Sequence, residues 1–322
     1  MPAEAFPAYT RAVISVFAPC AALLLFRSLA LVPFPRALKL RDLPRSSAPA
    51  PRFCCPFCAD YRIQKYTRGW PRQHGRIRLI FDMNVFRRTM SSAASLKNAR
   101  KVVCIGRNYA DHIAELNSAR PKQPFFFLKP SSSILLPGEG PVIRPRGVDL
   151  HYEVELALIM GKTLKNLEAS DEKTAFDAIE SYALGIDMTA RNAQWEAKKK
   201  GLPWSISKGF DTFLPMSNII PKSAIPNPHK IDLYLSVNDK IQQSDSTELM
   251  LFQIPRILSD ISKVMTLEQG DIVITGTPKG VGPVVPGDVM KAGIKIDGKE
   301  LEVAKIEVQV EESKSTYVFA ET

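Results

Sequence analysis

One run in the chain spaces two carboxylates closely enough to act together. It reads His151-Tyr152-Glu153-Val154-Glu155-Leu156, followed by the apolar Ala157-Leu158-Ile159-Met160. Side chains alternate along a strand, so positions 151, 153 and 155 share a face, with the two carboxylates about 7 Å apart along it. Like charges at that spacing repel unless solvent or a cation lies between them, and the apolar residues that follow lead the strand into a core. A hard divalent cation would neutralise the pair; the bland alternative is the solvated face of an amphipathic strand. Asp187 follows a second apolar stretch, Tyr182–Ile186. It can supply a third oxygen ligand or cap the next helix. Three carboxylates with positions left open for substrate describe Mg²⁺ or Mn²⁺. Arg191 and Gln194, three apart beyond Asp187, share one helix face, as residues of an exposed face also would.

His112 and Glu115 are likewise three apart, within Gly106-Arg107-Asn108-Tyr109-Ala110-Asp111-His112-Ile113-Ala114-Glu115. An imidazole with a carboxylate partner is the usual construction of a general base, although surface helices carry such pairs too. The Gly-rich Thr275-Gly276-Thr277-Pro278-Lys279-Gly280-Val281-Gly282 follows a buried strand, and its backbone N–H groups can approach an anion. It lacks the GK[ST] of a nucleotide loop, and Pro278 and Pro283 deny it a following helix. Lys208 lies between apolar runs; if partly buried it suits an enolate, and otherwise it is a surface lysine. No GxSxG, HExxH or EF-hand loop occurs.

The elements that must position these groups are mostly strands. Lys101–Ile105, Ile134–Leu136, Val142–Ile143, Tyr152–Met160, Tyr182–Ile186, Ile231–Val237, Asp271–Ile274 and Leu301–Val310 read as strands. Helices are expected over Asp171–Ser181, capped by Ser170, and over Ala190–Lys200, capped by Thr189 and stopped by Gly201. A third spans Leu249–Met265, with Pro255 near its first turn. Strands outnumber helices without alternating with them, which predicts an α+β fold rather than a doubly wound sheet.

Composition divides the 322 residues in two. The net charge is +10, yet residues 1–90 hold thirteen Arg and two Lys against four acids, and 91–322 are close to neutral. The basicity therefore marks a leader and does not argue for nucleic-acid binding by the body. Ala12–Phe26 is uncharged but contains Pro19. It is short of the roughly 20 residues of a stable membrane span. With the Arg-rich stretch that follows, it reads as a mitochondrial presequence; a start at Met90 would instead leave a cytoplasmic protein. Cys55 and Cys58 form a lone CxxC without the further ligands of a structural zinc site. Residues 1–90 are thus read as a basic, Pro/Arg-rich leader and 91–322 as the catalytic domain.

The strings GRNYADHIAE (106–115), FLKPSSS (127–133), HYEVELALIMGK (151–162), LGIDMTARNAQ (184–194), KKKGLPWSISKGFD (198–211) and DIVITGTPKGVGP (271–283) together resemble the fumarylacetoacetate hydrolase family. They are most similar to its short, single-domain branch, which includes mitochondrial acylpyruvases that also act on oxaloacetate. The resemblance implies a mixed β-roll with flanking helices, the fumarylacetoacetase C-terminal-domain-like fold, usually as a homodimer. It implies Glu153, Glu155 and Asp187 as Mg²⁺ ligands, with Mn²⁺ as an alternative, and His112 and Glu115 as the water-activating dyad on a lid. Lys208 and Gln194 would contact the reacting carbonyls, and Arg107, Arg191, Gly276 and Thr277 would hold the carboxylate end of a small oxo-acid substrate. The namesake hydrolases carry a further carboxylate ligand shortly before the lid histidine; here that stretch reads Val103-Cys104-Ile105, which argues against fumarylacetoacetate as substrate. The function implied is an acylpyruvate hydrolase with oxaloacetate tautomerase or decarboxylase activity. Its rivals are a hydratase or isomerase of aromatic-degradation intermediates and a non-catalytic dicarboxylate binder.

Overall fold

The computed structural model describes residues 96–322. The leader, its CxxC and the Met90 alternative lie outside them. Among the described residues two sheets carry the architecture. The first runs β10 (Ile220–Pro221), β7 (Ile179–Ile186), β6 (Val154–Met160), β13 (Ile272–Ile274), β1 (Val102–Gly106), β2 (Phe125–Lys129). Only β1 and β13 pair in parallel within it. The second runs β12 (Lys240–Ser246), β11 (Asp232–Val237), β15 (Val289–Ile296), β17 (Ile306–Glu312), β4 (Val142–Arg144), with β16 (Lys299–Glu300) hairpinned onto β15. A small sheet joins β14 (Gly282–Pro283), β5 (Leu150–Tyr152) and β8 (Thr189–Ala190), and β3 (Ile134–Leu135) pairs with β9 (Leu214–Pro215). Mixed sheets with few helices make this the expected α+β fold.

The uninterrupted apolar character of β6 follows from its place. Leu156, Leu158 and Met160 join one hydrophobic cluster with Leu233 and Leu235 of β11 and Ile294 of β15. Ala157 and Ile159, on the other face, join a second cluster with Val102, Cys104, Ile272 and Ile274. A strand covered on both sides cannot alternate apolar with polar residues. The longest helix among the described residues, α5 (Ile254–Val264), buries Ile254, Ile257, Leu258 and Ile261 along one side, with Pro255 in its first turn where no N–H is missed. Further helices among the described residues are α1 (Ala110–Glu115), α2 (Glu172–Asp177), α3 (Arg191–Lys200) and α4 (Ser205–Lys208).

Several boundaries differ from the sequence reading. The strand expected over Tyr152–Met160 breaks at Glu153, its two parts belonging to different sheets. The helix expected to reach Ser181 ends at Asp177, because Ile179–Ile186 pairs with β6. Its cap is Asp171, not Ser170: the shorter loop entry puts that carboxylate 3.0 Å from Thr174 N. Thr189 does not cap α3. It lies in β8, opposite His151, with its hydroxyl directed at Asp187 O. Gly201, at φ 70°, does end α3. Helix α5 begins five residues later than Leu249, after a separate 3₁₀ turn over Thr247–Leu249. Glu302–Ala304 is likewise a 3₁₀ turn, so the closing strand runs from Ile306.

The first N–H of α5, that of Ile254, donates to His229 Nε2 at 3.1 Å. Burial pushes the His229 imidazole below its ordinary range, keeping it the neutral acceptor that this bond requires. A depressed histidine contributes stability that is full above the unfolded value, about 6.5, and lost as pH falls through the folded value. His229→Ala should therefore cost about 1 kcal/mol at pH 8. In urea denaturation series, the gap to the wild type should close toward pH 5.

Candidate active site

The antiparallel register of β6 and β7 assembles the acidic centre. Val154 pairs with Ile186, so Glu153 and Asp187, one step beyond, stand opposite each other, and Asp187 N–H donates to Glu153 O at 2.7 Å. Glu155 pairs with Gly185. The three carboxylates are buried, and an oxygen of each lies within 4.8 Å of an oxygen of the others. The solvated-face alternative for Glu153 and Glu155 is thereby excluded.

Cations crowd this centre. Arg191 Nη2 lies 2.6 Å from Glu153 Oε1, and Lys208 Nζ lies 2.9 Å from Glu153 Oε2 and 2.6 Å from Asp187 Oδ2. Lys208 is 1% exposed, so it is no surface lysine. Burial alone would raise the Glu153 carboxyl, but Lys208 and Arg191 outweigh it and hold Glu153 well below the carboxylate range. Lys208 is raised in turn, Asp187 and Glu153 overcoming its own burial. Glu155 goes the other way. Burial, then repulsion by Asp187 and Glu153, push it well up, and Gly276 N–H, 2.7 Å from its Oε2, only partly offsets them.

The sequence reading missed Lys129. Its ammonium is fully buried, donates to Met188 O at 3.0 Å and lies 2.6 Å from Asp187 Oδ1. Asp187 Oδ1 nevertheless accepts no well-directed hydrogen bond. An all-oxygen donor set, one buried oxygen without a directed donor and one carboxylate raised by its neighbours suit a hard divalent cation. The residues present fit such an ion.

One cleft opens onto this centre. Arg107, His112, Glu153, Glu155, Arg191, Gln194, Lys208 and Thr277 line it together, with Phe127, Lys198 and Trp204, which the sequence reading did not single out for the site. The expected pairs are side by side. His112 Nδ1 is 3.4 Å from Glu115 Oε2, and Arg191 Nη1 donates to Gln194 Oε1 at 2.6 Å. Burial pushes His112 down, against the pull of Glu153 and Glu115. Glu115 itself stands behind His112, accepting Gly280 N–H at 3.2 Å.

The 275–282 loop is not the free anion cradle that its glycines suggested. Gly276 is absent from the cleft lining, and its N–H is committed to Glu155. Its φ of 94° and the 2.7 Å that would separate an added Cβ from Asn108 Cβ explain the glycine. Two buried amides grip the loop. Asn108 Nδ2 donates to Thr275 O at 2.8 Å and Phe252 O at 3.1 Å, while its Oδ1 accepts Phe252 N–H. Gln243 of β12 accepts Val154 N–H at 3.0 Å and donates to Thr277 Oγ1 and Pro278 O at 2.8 and 2.9 Å. Gln243 thus takes up the N–H freed where the strand breaks at Glu153 and ties it to the loop.

Residues 101–310 match the family described as fumarylacetoacetate (FAA) hydrolase C-terminal, and the chain belongs to that family of enzymes. It is 56% identical over 218 residues to the mitochondrial oxaloacetate tautomerase of Schizosaccharomyces pombe, a match covering 67% of this chain and 98% of that one. It is 48% identical over 199 residues to the mitochondrial oxaloacetate decarboxylase of Dictyostelium discoideum, covering 62% and 90%. Among solved structures it resembles the fumarylpyruvate hydrolase of Pseudomonas aeruginosa in complex with Mn²⁺ and pyruvate. That match has 31% identity and a TM-score of 0.60, covering 67% of this chain and 91% of that one.

Replacing Gln243 by Met keeps the volume but strands the Val154 N–H. The substitution should cost about 1–3 kcal/mol, the penalty for an unsatisfied buried donor, read as a lower urea midpoint at unchanged slope.

Proposed function

We propose that the chain is a Mg²⁺-dependent enzyme of small β-dicarbonyl acids, which tautomerises or decarboxylates oxaloacetate and hydrolyses acylpyruvates. The observation that carries this reading is the meeting of three buried carboxylates, a lysine ammonium and an imidazole at one cleft. The oxaloacetate tautomerase and decarboxylase named among the relatives support the substrate. The Mn²⁺ and pyruvate of the Pseudomonas complex support a divalent ion and a 2-oxo acid.

Glu153, Glu155 and Asp187 would hold the cation, which when bound supplies Lewis acidity to a 2-oxo acid. The Lys208 ammonium has three N–H donors; Glu153 and Asp187 take two, leaving one for a substrate oxygen. Gln194 lines the same cleft, and Arg191 fixes both Glu153 and Gln194. His112, kept neutral by burial, takes a proton from C3 of oxaloacetate, with Glu115 orienting the ring. Return of that proton to the oxygen at C2 gives the enol. With an acylpyruvate, His112 deprotonates water instead; hydroxide adds to the C4 carbonyl, the C3–C4 bond breaks, the proton held by His112 passes to C3, and pyruvate and a carboxylic acid leave. Decarboxylation needs no base, since the C3–carboxylate bond itself supplies the electrons.

Residues 91–322 form the catalytic domain in this reading and 1–90 a mitochondrial leader, in keeping with the mitochondrial relatives. No described helix is long and apolar enough to cross a membrane. A homodimer is proposed from the family resemblance, and the exposed Trp195 and Ile206 offer apolar surface for one.

Proton NMR of oxaloacetate with the full chain and Mg²⁺ tests the reading. Accelerated keto–enol exchange or pyruvate formation, abolished by a chelator, is expected, and the uncatalysed rate in both tubes would sink it. Glu153→Ala should lower turnover by roughly 10²-fold or more, the scale of losing a main electrostatic stabiliser; full activity would remove the metal assignment. Because His112 is pushed down, the acid limb of kcat should lie below about pH 6.5, and His112→Gln should abolish the profile together with the exchange.

A further inference from the structure

Two cations of the cleft have no hydrogen-bond or ion-pair partner among the described residues. Arg191 and Lys208 are committed to Glu153, Asp187 and Gln194. Arg107 and Lys198 line the same cleft, yet their side chains make no hydrogen bond or ion pair among the described residues. Lys198 sits in the last turn of α3 with its ammonium 5.8 Å from the centre of the Trp204 ring. Burial first, and then the like charges of Arg107 and Arg191, push that ammonium down. Arg107 follows β1 at φ 59°, a left-handed conformation that side-chain-bearing residues rarely adopt and that tends to persist at functional sites. Cations that repel one another around a cleft define a place for an anion, as the three carboxylates define a place for a cation. In the reading above, Lys208 and Gln194 serve the oxo-acid end of the substrate, which leaves this second charge to its far end.

The family resemblance already gives Arg107 to a substrate carboxylate; we propose that Lys198 completes with it a subsite for the distal carboxylate of a 2-oxo dicarboxylate, and that Lys198 sets the preference for such substrates over 2-oxo acids with an uncharged end. The inference rests on the cleft being a 2-oxo-acid site. A carboxylate between the two side chains accepts charge-assisted hydrogen bonds from both and removes their mutual repulsion. Trp204 lines the same cleft, its ring beside the Lys198 ammonium. The cationic end of α3 is thereby part of the site and more than a favourable partner of the helix dipole.

The test compares oxaloacetate with pyruvate, which is oxaloacetate without its distal carboxylate. With the full chain and Mg²⁺, one measures KM for oxaloacetate and the inhibition constant of pyruvate against it. Lys198→Met should raise the KM about ten-fold, the loss of one charge-assisted hydrogen bond, while the pyruvate constant stays within about two-fold. Lys198→Arg should keep both near the wild-type values, and Arg107→Met should show the same split as Lys198→Met. Equal weakening of both ligands, or no change in either, overturns the subsite while the wild type remains active. A wild type that neither turns over oxaloacetate nor binds pyruvate overturns the reading of the cleft, and the subsite with it.

Discussion

Three carboxylates brought within 4.8 Å of one another inside a protein repel strongly, and the surrounding structure is organised to hold them there. Lys208, Arg191 and Lys129 answer Glu153 and Asp187 from α4, α3 and β2. Removing one member of a buried ion pair typically costs about 3–5 kcal/mol because its partner is left uncompensated. These cations are therefore as necessary to the folded state as the acids are to the site. Glu155 is the least compensated, with one backbone N–H from Gly276. Its raised carboxyl marks where the centre still lacks positive charge.

Such an arrangement needs a stiff frame. Strand β6 supplies it by being buried on both faces, clamped between β7 and β13 in its sheet and between two hydrophobic clusters across it. Its ladder stops at Glu153, where the chain passes to another sheet, and the freed Val154 N–H finds Gln243. The same amide holds Thr277 and Pro278, while Asn108 holds Thr275. Two fully used buried amides thus set the wall of the cleft relative to the three carboxylates. Satisfied polar networks of this kind give a core one geometry, where apolar packing alone would tolerate several.

The imidazole side of the cleft is held differently. Helix α1 is six residues long, and the 275–282 loop secures it through Gly280 N–H on Glu115 and an exposed Lys279–Asp111 pair at 2.8 Å. Exposed pairs of that sort contribute little, so α1 is held chiefly by its buried Ile113 and by the buried Tyr109 that precedes it.

Much of this was legible in the residues themselves. Carboxylates two apart at the start of an apolar run, an acid ending another apolar run and a His–Glu pair three apart are local patterns, and local patterns carry through because strand and helix periodicities are fixed by the backbone. The α+β class was legible for the same reason. Asn238-Asp239 and Asp297-Gly298, all four with positive φ in two-residue hairpins, are local signals of β12 and β16 that the sequence reading passed over. Tertiary structure alone decided the rest. Lys129 looks like one lysine after a phenylalanine run until β2 carries it beneath Asp187. Gln243 is an ordinary polar residue until β12 lies over the break at Glu153. Gly276 reads as an anion-binding glycine until Glu155 claims its N–H. Lys198 reads as a helix-end cation until α3 turns it onto the cleft beside Arg107. In each case the role depends on a partner tens of residues away in the chain, and burial and charge pairing become properties of a residue only once folding has chosen its neighbours.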